Sequence, residues 1–504
     1  MNGVDDAYRT VTELTSLLDR GEVSAVDLAE EAIDRIERLD PDINAIVVRD
    51  FDRALQAARA ADAARARGES GRLLGIPMTV KESFNVAGLP TTWGIPPFAG
   101  FVPAEDAVAV ARLKAAGAVI LGKTNVPVAL GDLQTYNPIY GTTNNPWDLS
   151  RTPGGSSGGS AAALAAGFGA ASIGSDIAGS LRVPAHFTGV YAHKSTFGLL
   201  PSRGHTAPPS APLEYGRDLS VIGPMARSAQ DLALLLGVLS ETGETGIGIA
   251  RRTAMRPARH DDLAGFRVLV VDDHPLIPTS TDVRVALGEL AGNLRAAGAQ
   301  VSRDGVLLPD PIEAARVYMR LLLASIAAFY PPPAYEQARV AAAGVDPDDT
   351  SLAAERVRGA VLSHREWIET DAIRVRHRDA WATLFTEFDI VICPPSPTAA
   401  FAHDQSADQW ARTISIDGTS YDYPDQLVWA GIASAPGLPS TVAPIAHSSD
   451  GVPIGAQIIG PMYEDLTPIR FAELLEQNYG GFIQPALGHS HADDQCPAHS
   501  DRRL

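Results

Sequence analysis

The chain predicts an α/β fold, a central and mostly buried β-sheet flanked by helices. Three observations lead there. Short apolar runs alternate with segments of helical period along most of the sequence. A helix–glycine–strand unit occurs twice, at DAVAVARLKAAGAVILGKTN (106–125) and at DVRVALGELAGNLRAAGAQV (282–301). The chain has 504 residues and is 45% hydrophobic, enough for one large core or two smaller ones.

The elements follow in order. Ser24 and Asp27 read as a helix cap, and Leu28, Ala29, Ala32, Ile33, Ile36 and Leu39 fall on one face behind it. INAIVV (43–48) reads as a strand, and FDRALQAARAADAARARG (51–68) as a helix stopped by Gly68. LGIPMTVK (74–81) is a strand ending in a lysine. In the first repeated unit the helix stops at Gly117 and Ala118–Leu121 is a short buried strand; the second unit follows a strand at FRVLVV (266–271). FDIVIC (388–393), STVAPI (440–445) and IGAQII (454–459) add strands, and PIRFAELLEQNYG (468–480) closes with a helix. Residues 310–380 read as mainly helical, a cap over one edge. The expected organisation is a single domain over 1–487, followed by a polar, patternless tail (488–504) expected to be disordered.

Composition excludes several classes of function. The formal net charge of −19 argues against a nucleic-acid surface and against anionic membranes. Two cysteines, Cys393 and Cys496, exclude a disulfide framework and a cysteine-rich zinc site, and suit a reducing cytoplasm. MNGVDDAYRT has no basic or apolar leader region, and no apolar run is long enough to span a bilayer. A cytoplasmic protein is expected.

The stretch that asks for chemistry is GGSSGGSAAALAAGFGAASIGSDIAGS (154–180). A linker would not sit in mid-pattern around an alanine-rich helix former. A phosphate loop needs a lysine after its glycines, and none follows. Gly154-Gly155-Ser156-Ser157-Gly158 matches Gly-x-Ser-x-Gly, but that elbow needs a hydrophobic strand before it, and NNPWDLSRTP (144–153) is a polar, proline-broken loop. Its histidine would have to be His447, in the loop-like AHSSDG (446–451).

Serine needs a base, and a lysine can be one if it is neutral. In water lysine titrates at about 10.4, so a lysine base must be desolvated. Lys81, at the end of a buried strand, meets that need; Lys123 and Lys194 compete with it. SDIAGS (175–180) offers a small-residue turn whose N–H groups lie open before Ser180, as oxyanion donors require.

GIPMTVKESF (75–84), GKTNVP (122–127), NNPWDLSRTPGGSSGGS (144–160), GSDIAGSLRVPA (174–185), HKSTFGLLPSRG (193–204), FDIVICPPSPT (388–398) and GLPSTVAPI…GVPIGAQIIGP (437–461) together resemble the amidase signature family. The resemblance runs from about residue 10 to about residue 485. It implies a mixed sheet and a Ser–cis-Ser–Lys triad. By motif position Ser180 is the nucleophile, Ser156 the bridging serine after a cis peptide from Gly155, and Lys81 the base. The N–H groups of Ile177, Ala178, Gly179 and Ser180 form the oxyanion hole. Ser157 supports the triad, and Asp176 and Arg182 brace the turn as a buried pair. No metal and no organic cofactor is implied, and His186 and His193 are expected to be structural.

One departure is Ala178, where the family usually has glycine; the methyl is tolerable at φ below zero and narrows the site. Gln134, Thr135, Tyr136 and Asn137 form a polar loop placed provisionally in the substrate pocket, and TAPPSAPLEYG (206–216) a lid or rim. The expected partner is a small-molecule amide, with a carbamate or ester cleaved by the same triad as the alternative. A homodimer stays open. The family's amidotransferase subunits carry Met-Asp-Glu-Phe after Gly-Lys-Thr-Asn and a Thr-Gly-Gly-Ser turn. VPVALG (126–131) and SDIAGS stand here instead, which ranks that reading lower. A non-catalytic scaffold ranks low because all three triad positions are filled.

Overall fold

The computed structural model describes residues 6–211, 217–241 and 256–487. The proposed tail (488–504), with Cys496, and part of the proposed rim (212–216) lie outside the described residues. The strands in chain order are β1 (Ile46–Arg49), β2 (Pro77–Lys81), β3 (Val119–Thr124), β4 (Tyr136–Asn137), β5 (Gly141–Thr142), β6 (Ala171–Asp176), β7 (Tyr191–Lys194), β8 (Val221–Ala226), β9 (Arg267–Val270), β10 (Gln300–Ser302), β11 (Ile390–Cys393), β12 (Thr413–Ile416), β13 (Thr419–Asp422), β14 (Ser440–His447) and β15 (Pro453–Ile459). Eleven of them form one sheet in the order β1-β3-β2-β6-β8-β7-β14-β15-β11-β9-β10. β3–β2–β6 and β11–β9–β10 run parallel and the other pairs antiparallel, so the sheet is mixed.

Local signals act where the sequence places them. Ser24 and Asp27 form a reciprocal capping box at the start of the helix Ala25–Ile43. The repeated helix–glycine–strand unit has one physical cause. Gly117 (φ 95°) and Gly298 (φ 92°) end their helices in the left-handed region, and β3 and β10 follow directly. Between β10 and β11 the chain forms four helices, Pro311–Ala327, Pro332–Ala343, Leu352–Gly359 and His364–Glu387.

The centre of the sheet is less conventional. Every residue of β2, β6, β7 and β8 is buried. β6, ASIGSD, has one β-branched residue and is selected by close packing instead. A Cβ on its Gly174 would come within 2.6 Å of Ser157 Oγ. The helix Gly158–Ala165, buried at every position, packs on this surface.

Glycine beside the serines is required by contact. A Cβ on Gly159 would lie 2.4 Å from the Asn125 backbone nitrogen, and one on Gly155 would lie 2.5 Å from the carbonyl oxygens of Asp132 and Gln134. Gly159→Ala is therefore expected to cost about 1–3 kcal/mol through overpacking, read as a lowered denaturation midpoint. Gly292→Ala, in open space on a helix, should leave the midpoint unchanged or raise it.

Candidate active site

β2 and β6 are parallel neighbours, and the site lies at their carboxyl ends. Lys81 is the last residue of β2, and Ser175 the penultimate residue of β6. Ser156 and Ser157 precede the buried helix Gly158–Ala165, and Ser180 precedes the helix Arg182–Thr188. The Gly155–Ser156 peptide bond is cis.

Lys81 is fully buried, and its Nζ meets three hydroxyls: Ser156 Oγ at 2.7 Å, Ser157 Oγ at 3.0 Å and Ser175 Oγ at 3.0 Å. No carboxylate among the described residues pairs with it. Burial lowers its pKa to about 7, against a smaller opposing pull from Asp176. A neutral amine has a lone pair to offer, and the nearest hydroxyl is Ser156. The Ser157 N–H donates to the Ser180 carbonyl at 3.0 Å, which ties the two serine segments together. Among the described residues the Ser180 hydroxyl makes no hydrogen bond; it opens on a cleft of about 510 Å³.

The turn before Ser180 is braced from below. Asp176 and Arg182, both buried, pair at 2.8 Å and 3.0 Å. Burial pushes the Asp176 carboxyl up, but the Arg182 guanidinium, Lys194 and the Leu181 N–H outweigh it and hold its pKa at about 2. Asp176 Oδ1 also accepts the Gly179 N–H at 3.0 Å. That removes Gly179 from the four expected oxyanion donors and leaves Ile177, Ala178 and Ser180. Gly179 has φ 93°, whereas Ala178 is not among the positive-φ residues and carries its methyl into the cleft wall.

The competing lysines are held differently. Lys123 donates to the Pro90 carbonyl and to Thr91 Oγ1, and Lys194 to the Leu438 carbonyl at 2.8 Å. Burial lowers them to about 8 and about 7, but neither amine touches a serine hydroxyl. His186 is fixed between the Thr398 carbonyl and the Gly455 N–H, and His193 between Thr441 and Asp465. His447 packs on the Trp147 ring.

The polar loop 134–137 divides between the scaffold and a chamber beside the cleft. Gln134 exchanges two hydrogen bonds with the backbone of Asp404, Thr135 donates to the Gly154 carbonyl, and Asn137 donates to Asn125 and Val126. Tyr136 accepts from Arg412 at 2.6 Å. None of the four lines the Ser180 cleft. Gln134, Thr135 and Asn137 are buried and satisfied internally, whereas Tyr136 is half-buried, and Tyr136 and Asn137 line a polar chamber that adjoins the cleft.

The cleft walls come from distant segments: Leu130, Leu133, Ile177, Ala178, Leu322, Ile326, Trp410, Tyr423 and Leu427. Asp132 is the one charged residue of the lining, and Arg412 (2.6 Å) and the Tyr423 hydroxyl (2.8 Å) engage its carboxylate. A polar chamber of about 1180 Å³ shares Gly131, Asp132, Gln409 and Trp410 with the cleft. Sequence reading missed Ser175 and all of these walls except Ile177 and Ala178. Ser175 was findable from the register of β6 on β2; nothing local marks Leu322, Trp410 or Tyr423.

The described residues hold no cluster of three or more side chains suited to a metal ion, and no described helix is long and apolar enough to cross a membrane. The family model "Amidase" matches residues 27–467. A glutamyl-tRNA(Gln) amidotransferase subunit from Roseiflexus castenholzii is 32% identical, over 93% of this chain and 95% of that protein. An indoleacetamide hydrolase from Bradyrhizobium diazoefficiens is 31% identical, over 94% and 86%. A solved chain described as part of a vestigial protein complex, which reveals the origins of an s-triazine catabolic enzyme, superposes with TM-score 0.77. It is 29% identical, over 94% of this chain and 99% of that one.

Two substitutions separate support from chemistry. Arg182→Met leaves Asp176 buried and unpaired, and is expected to cost about 3–5 kcal/mol in denaturant unfolding. Lys81→Met removes a desolvated amine, and its unfolding midpoint should stay near that of the wild type while hydrolysis is lost.

Proposed function

The chain belongs to the amidase signature family of C–N hydrolases, and on that premise we propose that it hydrolyses small amides with an apolar acyl or aryl-acyl group through an acyl-enzyme on Ser180. The observation that carries this reading is the Lys81 amine, with a pKa of about 7, hydrogen-bonded to Ser156 beside a serine that opens on an apolar cleft. Neutral Lys81 takes the Ser156 proton as Ser156 takes the Ser180 proton. Ser180 Oγ attacks the carbonyl carbon, and the N–H groups of Ile177, Ala178 and Ser180 receive the oxyanion. The relay then returns the proton to the leaving nitrogen, the C–N bond breaks, and water releases the acid by the same path. Ser157 and Ser175 hold the amine in line.

The relationship to an amidotransferase subunit favours a second reading, ammonia release from glutamine within a complex. Glutamine would bring a carboxylate and an ammonium into the acyl site. The cleft wall has one charged group, Asp132, and Arg412 already neutralises it. Apolar acyl groups fit this wall better.

The experiment is hydrolysis of a nitroanilide, a nitrophenyl ester, an aryl carbamate, a primary arylacetamide and L-glutamine by the wild type and by Ser180→Ala. The arylacetamide is expected to be cleaved, with a loss of at least about 1,000-fold in Ser180→Ala. Equal activity in both proteins would reject the nucleophile, and glutamine as the best substrate would favour the second reading. Trp410→Ala should raise KM for arylacetyl amides by about 10- to 100-fold and leave acetamides nearly unchanged, the size of one buried aromatic face.

A further inference from the structure

Two apolar spaces lie at opposite ends of one helix pair. The helices Pro311–Ala327 and Leu427–Ser434 pack against each other. Along the first, Leu322 and Ile326 line the Ser180 cleft, whereas Ala314 and Ala315 line a second cavity of about 960 Å³. Along the second, Leu427 lines the cleft, whereas Val428 and Gly431 line the cavity. The two spaces share no lining residue. The histidines of the cavity are engaged with other groups: His377 Nε2 lies 3.0 Å from Glu313, and His274 Nδ1 accepts the Leu276 N–H at 3.2 Å. What remains of the wall is largely apolar, Val391, Trp381 and Ile432 among it, and suits an apolar occupant.

Tyr318 stands between the two spaces. It lies one helical turn after Ala314 and Ala315 and one turn before Leu322, so the stripe that runs from the cavity to the cleft passes through it. Its side chain is fully buried and touches a lining residue of each. The ring packs on Gly431 of the cavity, where a Cβ would come within 2.5 Å of Cδ1 and 3.1 Å of Cε1. The hydroxyl donates to the carbonyl of Ile177, in the cleft wall, at 3.1 Å. The tyrosine thus fills the gap between cleft and cavity.

Both of its supports are anchored. Arg182, which braces the nucleophile turn, donates to the Ala430 carbonyl at 3.0 Å and to Ser434 Oγ at 2.8 Å, and so pins the helix that carries Gly431. Ile177 follows Asp176, the partner of Arg182, in the turn before Ser180. The partition is therefore tied to the scaffold of the nucleophile on both sides.

We propose that Tyr318 sets the acyl-length limit of this protein: its ring walls the Ser180 cleft off from the apolar cavity, so that short and single-ring acyl groups are accepted and long-chain acyl groups are excluded. This rests on the amidase reading above. An acyl chain that outgrows the cleft meets a fixed ring, and the volume beyond it stays out of reach. Removing the ring joins the two spaces. Each methylene that then enters the cavity leaves water, a gain of about fourfold in transition-state binding.

The test is the chain-length profile of kcat/KM on 4-nitroanilides from acetyl to decanoyl. The wild type should favour butanoyl over decanoyl by at least about 10-fold, because a chain without room overpacks the site. Tyr318→Leu should raise decanoyl turnover by about 10- to 100-fold, the size of about two to three buried methylenes, and leave butanoyl within about threefold. Tyr318→Phe keeps the ring and should keep the wild-type profile. Ala314→Leu fills the cavity; silent alone, it should cancel the gain in the Tyr318→Leu background. A merely structural tyrosine would give equal losses at every chain length, and that result, or no gain on decanoyl, would overturn the proposal. So would a wild type that cleaves decanoyl as well as butanoyl, a measurement that needs no variant. Absence of turnover by the wild type would overturn the amidase reading instead. Calorimetry of octanamide on Ser180→Ala, with and without Tyr318→Leu, would then still decide Tyr318, since octanamide bound no more tightly after the substitution rejects it.

Discussion

The desolvation of one amine organises this molecule. Lys81 ends a strand buried on both faces, and only serine hydroxyls meet its nitrogen among the described residues. A carboxylate in contact would hold it protonated; a water-filled site would do the same. The small residues around it follow from that requirement. Gly155, Gly159 and Gly174 let three backbone segments close over the lysine without room for solvent. The all-buried helix Gly158–Ala165 behind the serines completes the seal.

Other buried charges are kept from interfering by pairing among themselves. Asp176 lies close enough to influence Lys81, yet Arg182 holds its carboxylate. Glu82, the residue after Lys81, accepts the N–H groups of Thr92 and Trp93 and faces Lys123 electrostatically. On the substrate side Asp132 is neutralised by Arg412. The cleft thus presents apolar walls and one open serine, with its ionic network outside the reacting volume.

Much of this was legible in the sequence. The α/β class, the capping box at Ser24–Asp27, the two helix–glycine–strand units and the strand ends at Lys81 and Cys393 follow from periodicity and turn chemistry. The contact between Lys81 and the GGSSGG serines was expected from the resemblance to the amidase signature family, since the residues alone left Lys123 and Lys194 as competitors. β6, β7 and β8 were missed as strands: β6 is packed by Gly, Ala and Ser, β7 is a short YAHK with no β-branched residue, and β8 is broken by Gly223-Pro224 after Val221-Ile222. Within the loop 134–137, polarity did not separate Gln134 and Thr135, which hold the scaffold, from Tyr136 and Asn137, which line the chamber beside the cleft. The cleft wall was illegible because Leu133, Leu322, Trp410 and Tyr423 meet only through the tertiary fold.

The central claim is that a neutral, buried Lys81 drives acylation of Ser180, and its most direct test is the pH dependence of the acylation burst with 4-nitrophenyl phenylacetate. Protonated Lys81 cannot accept a proton, so lowering the pH through its folded-state pKa must remove the base. The wild-type burst rate is predicted to rise about tenfold per pH unit below its midpoint and to level off above a midpoint of about 7. Lys81→Met should show no burst at any pH. A rate independent of pH across that range, or a Lys81→Met protein that acylates as fast as the wild type, would contradict the account.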